Sequence, residues 1–114
     1  METIEIFTPT QFQRHCEQAG YLYYEFDMRN QPTHDFFRGY FVYLRFDSFI
    51  ISLAPATIVF CDKNDTRRPK NVINFSPVLK IVKHQPGKEV HFEIITGAKG
   101  NDTNAKRHII IARP

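Results

Sequence analysis

The segment FTPTQFQRHCEQAG, residues 7–20, carries a complete set of helix start and stop signals, and no later segment of the chain carries another. Thr8 suits the N-cap, Pro9 the first helical position, and Gln11 three residues after the cap completes a capping box. Phe7 and Phe12 have the spacing of a hydrophobic staple, and Gly20 supplies the left-handed stop. The signals predict one helix over 9–19. Phe12, Cys16 and Ala19 recur at helical spacing and are expected to form its buried stripe. On that stripe Cys16 is expected to pack and not to react.

A chain with one short helix must build the rest of its core from strands. The supply of β-formers agrees: eleven Phe and five Tyr, no Trp, and many Ile and Val. ETIEIF alternates as a half-buried strand does, and strands are expected at YLYYEFDM (21–28), FFRGYFVYLRF (36–46), SFIISL and TIVFCD. VINF, VLKIVKH, EVHFEIIT and RHIIIA follow. Asp47-Ser48 reads as a turn or bulge, and Ala54-Pro55-Ala56 and Pro86-Gly87 as turns. HIIIA lacks alternation and belongs inside a sheet, away from its edges. At 114 residues the expectation is a single α+β domain, residues 1–114, with the N-terminal helix packed on a bent, mostly antiparallel β-sheet, a roll or partial barrel.

The hairpin at Pro86-Gly87 permits a specific register. Joining the strands by a two-residue turn sets Ile81 opposite Phe92 and Leu79 opposite Ile94 on an apolar face. On the other face Lys80 meets Glu93 and His84 meets Glu89. In this register His84 and His91 do not face each other.

Strand 36–46 contains RGYFVYLRF, whose Arg38-Gly39-Tyr40 resembles the opening of the RNA-recognition-motif signature. Three of the seven specified positions match; Phe41 stands where a small residue belongs, and that family needs a second helix. Alternation accounts for the same residues, with Tyr40, Val42, Leu44 and Phe46 toward the core and Phe41, Tyr43 and Arg45 away from it. An uncovered second face carrying Tyr43 and Arg45 is a binding surface.

No motif for catalysis, metal or phosphate binding stands out. The five histidines, at 15, 34, 84, 91 and 108, are scattered, and the two cysteines form no CxxC pair. The expectation is no catalytic residue, no metal and no cofactor. An enzyme would have to draw on His34, Asp35, His91 and Glu93. Charge divides along the chain: four basic against seven acidic residues to Phe60, then eleven against five. Lys63, Arg67, Arg68 and Lys70 lie in one polar loop, and Lys99, Lys106 and Arg107 in or beside another.

These features predict a small binding module, an adaptor or inhibitor with a protein partner, that uses Arg67, Arg68, Lys70, Lys99, Lys106, Arg107, Tyr43 and Arg45. The alternative is nucleic-acid or phosphorylated-ligand binding through the basic loops 63–70 and 99–107. Self-association would complete a sheet face in either case. Without a leader-like or membrane-spanning apolar run, the expected location is cytoplasmic, with no membrane partner. Asn64, Asn74 and Asn101 then read as turn residues and not as glycosylation sites.

Overall fold

A computed structural model describes residues 3–27, 43–63, 73–75, 77–97 and 105–114. The predicted helix is present with the predicted bounds, α1 (Pro9–Ala19). The Gln11 N–H donates to Thr8 Oγ1 at 3.2 Å, and the Thr8 N–H donates to Gln11 Oε1 at 3.0 Å. Gly20 closes the helix at φ 73°, where a side chain would be strained. Phe12 and Cys16 are buried, but Ala19 is exposed, because it is the last helical residue and Gly20 turns the chain away from the helix axis. Phe7 stacks on His15, nearly two turns into the helix, with ring centroids 5.0 Å apart.

Nine strands complete the described fold: β1 (Thr3–Phe7), β2 (Tyr23–Asp27), β3 (Tyr43–Phe46), β4 (Ser48–Leu53), β5 (Ala56–Cys61), β6 (Ile73–Phe75), β7 (Val78–Gln85), β8 (Val90–Thr96) and β9 (Lys106–Arg113). Six form a sheet in the order β1-β7-β8-β9-β2-β3, and three form a second, β4-β5-β6. Every pairing is antiparallel. The predicted α+β class therefore holds, and the predicted bend is realised as two sheets that do not close into a barrel. Asp47 is the bend between β3 and β4, so the chain passes there from one sheet to the other. Its Oδ1 accepts a hydrogen bond from the Lys63 N–H beyond β5. As its unbroken aliphatic run implied, β9 lies inside the six-stranded sheet, between β8 and β2.

The core lies between the sheets. Tyr24, Phe26, Phe46, Ile81, Phe92, Ile94 and Ile110 of the larger sheet meet Ile58, Phe60, Ile73 and Phe75 of the smaller one, and α1 adds Phe12 and Cys16. Alternation set these faces: along β2, Tyr24 and Phe26 are buried while Tyr23, Glu25 and Asp27 are only partly so. Leu44 and Phe46 likewise turn to the core.

The β7–β8 hairpin departs from the predicted register by two residues. Ile81 lies opposite Ile94, Lys80 opposite Ile95, Val82 opposite Glu93 and His84 opposite His91. Two-residue hairpin turns need a positive φ at their first central position, which Pro86 cannot adopt, so the connection opens to Pro86-Gly87-Lys88-Glu89. A slip of two keeps Lys80–His84 on their predicted faces but changes their cross-strand neighbours, and a register irregularity between Val78 and Lys80 puts Val78 into the core where Leu79, opposite Ile94, was expected. Among the described residues no helix is long and apolar enough to cross a membrane.

Candidate binding face

The helix and the smaller sheet both pack on one side of the six-stranded sheet. On the other side, no described element lies across the strands. One row of directly opposed residues traverses all six of them: Ile4, His84, His91, Ile111, Glu25 and Arg45. Each comes from the non-core positions of its strand, so the row is a product of alternation and register together.

The charges on this face are largely paired with one another. Arg107 Nη1 lies 3.0 Å from Glu93 Oε1, and His84 Nε2 lies 3.8 Å from the same oxygen. His91 Nε2 lies 3.1 Å from Glu89 Oε1, and Arg113 reaches both Glu89, at 3.6 Å, and Glu25, at 3.3 Å. The Arg45 guanidinium sits over the Tyr23 ring, 3.8 Å from its centroid. Aliphatic side chains lie among these groups. Val82 and Ile95 are buried, at 8% and 3% exposure, yet stand apart from the main core cluster, and Ile109 and Ile111 are half-buried. At the β1 edge, Ile4 and Ile6 are largely exposed.

Of the residues singled out from the sequence, Arg45 and Arg107 belong to this face. Lys106 is exposed at the start of β9, next to Arg107 and therefore directed to the opposite side of the strand. The Tyr43 backbone lies opposite Asp27. Arg67, Arg68, Lys70 and Lys99 lie outside the described residues, as do His34, Asp35 and Arg38–Val42 of the RNA-like segment. His91 and Glu93 share a face of β8. The sequence reading passed over Tyr23, Glu25, His84 and Arg113 as site residues. Their outward positions follow from alternation, but their convergence depends on β2 pairing with β9, which brings together Glu25 and Arg113, 88 residues apart.

A second concavity, of about 180 Å³, lies between α1 and β4 and is lined by Gln13, Cys16, Glu17, Tyr21, Tyr24, Asp47, Ser48 and Phe49. Its one thiol is not suited to nucleophilic chemistry. Burial pushes Cys16 up to about 12, outweighing its hydrogen bond with the Tyr24 hydroxyl, and burial also raises Tyr24 and Cys61. Both cysteines are free and buried. Neither is expected to react with a water-soluble disulfide reagent in the native protein at neutral pH on a timescale of minutes, whereas both should react at once in denaturant. Stoichiometric labelling of the native chain would show that one thiol is accessible after all.

Among the described residues, no group of three or more His, Cys, Asp or Glu side chains is placed to hold a metal ion as it stands. Comparison with protein families, with curated proteins and with solved structures finds no match to this chain.

Proposed function

We propose that this chain is a non-catalytic binding module that engages a protein partner through the outer face of its six-stranded sheet. The observation that carries this reading is the way charge is arranged there: Glu25, Glu89 and Glu93 are interleaved with Arg107, Arg113 and the histidines, and aliphatic residues lie between them. A phosphate backbone selects unneutralised cations, and on this face Arg107 and Arg113 are already held by carboxylates. A protein surface can exchange such pairs for pairs of its own while covering Ile109, Ile111 and the Arg45–Tyr23 stack. An adaptor or inhibitor role follows from this mode of action, since binding alone is its chemistry.

The test compares three baits in native lysate: the wild-type chain, the double variant Arg45→Glu/Ile111→Lys, and Ile50→Glu on the outer side of the smaller sheet. Each is first checked for cooperative unfolding. Proteins retained by the wild type and by Ile50→Glu should be lost with the double variant. Identical recoveries with all three baits would remove the face from consideration. Retention of labelled oligonucleotides that weakens between roughly 50 and 200 mM salt would favour the basic loops and a nucleic-acid ligand instead.

A further inference from the structure

The two-residue slip in the β7–β8 hairpin has a chemical result, because it sets two imidazoles against each other. His84 and His91 are directly opposed on the outer face. Opposed residues of an antiparallel pair have Cβ atoms roughly 5 Å apart, and two nitrogens bound to one tetrahedral ion lie about 3.3 Å apart. The rings can therefore span a shared ion without movement of the backbone. Two carboxylates stand beside them: Glu93 Oε1 is 3.8 Å from His84 Nε2, and Glu89 Oε1 is 3.1 Å from His91 Nε2. Ile4 opposite His84 and Ile111 opposite His91 flank the pair with apolar side chains.

We propose that His84 and His91, with Glu93 as third donor and water completing the shell, form a cross-strand site for a divalent transition metal such as Zn²⁺. The donors do not yet converge, since each imidazole is turned to a carboxylate. Both side chains are about one-third exposed, at 30% and 33%, so the rings have room to turn about χ1 and χ2. Arg107 and Arg113 compete for Glu93 and Glu89. With the carboxylates so engaged, the two imidazoles are the principal donors and the carboxylates come second. Imidazole donors select Zn²⁺, Ni²⁺ and Cu²⁺ over Mg²⁺ and Ca²⁺.

The experiment is titration of the purified protein with zinc chloride at neutral pH, followed by calorimetry and by NMR of the histidine rings. The expected result is one ion per chain with a Kd on the order of 10 µM. Ring signals of His84 and His91 should shift together, and Mg²⁺ should have no effect. His84→Ala and His91→Ala should each weaken binding at least about tenfold, and Glu93→Gln less. Both histidines lie on the surface, and backbone spectra will show whether each variant keeps its fold. Absence of binding up to about 1 mM zinc would overturn the proposal. Undiminished binding in both alanine variants would also overturn it, since the ion would then rest on other residues.

Discussion

Replacing Phe60 by alanine is expected to cost about 4 kcal/mol, as large buried aromatics do when they leave a cavity. Phe60 is fully buried on β5, the central strand of the smaller sheet, and its ring meets Tyr24 and Phe26 of the larger sheet at 5.3 and 5.0 Å. Phe49 and Phe75, from the strands on either side, lie at 5.2 and 5.9 Å. The residue thus joins the two sheets, and its loss removes contacts from both. Domains of this size are stable by about 5–15 kcal/mol, so the variant should unfold at much lower urea with an unchanged slope. Phe60→Leu, which keeps most of the volume, should cost less than half as much. A midpoint for Phe60→Ala within error of the wild type would mean that the sheets are held together elsewhere.

Acidification should destabilise the fold through His108. This side chain of β9 is buried, its Nε2 pairs with Thr96 Oγ1 at 3.1 Å, and its ring lies against Phe75, 4.6 Å between centroids. Its Nδ1 has no hydrogen-bond partner among the described residues. Burial, aided by the charge of Lys106, pushes the imidazole down from 6.5 to about 4. Between these values the unfolded chain binds a proton that the folded chain refuses, so stability falls as the pH drops from 6.5 toward 4 and levels off below it. The shift corresponds to about 3 kcal/mol over that window. His15, also lowered by burial, acts in the same direction. Urea midpoints measured from pH 7.5 to 4 should therefore decline, and His108→Gln should remove most of the slope between pH 6.5 and 4. An equal slope in His108→Gln would assign the acid sensitivity to other groups.

Local signals were legible in proportion to how local their causes are. The Thr8–Gln11 box and Gly20 fixed α1 to the residue, because capping is settled within one turn of chain. Alternation assigned Leu44 and Phe46 to the core side. Ala19 shows the limit of periodicity, which reports the face of a helix but not where its support ends. Lys83 is a second such case: it shares the core-facing side with Ile81 and is buried beside Glu5, its partner across β1, at 3.9 Å. The hairpin register failed by one choice of turn, since Pro86 forbids the two-residue connection, and that choice determined whether His84 and His91 meet. The candidate face was legible only in fragments. Arg45 and Arg107 were identified singly, but no local pattern states that β2 lies beside β9.

That adjacency also governs how the fold can come into being. β1 lies against β7, and β2 against β9, so strands made early must wait for neighbours synthesised near the end of the chain. While the polypeptide emerges, the β2–β3 pair and the β4-β5-β6 meander are described elements whose partners are chain neighbours, whereas α1 packs partly on the later strands β7 and β8. Within the large sheet β2-β3 and β7-β8-β9 pair between consecutive strands, whereas joining β1 to β7 and β2 to β9 closes long loops, and that non-local share is expected to slow folding into the range of milliseconds to seconds.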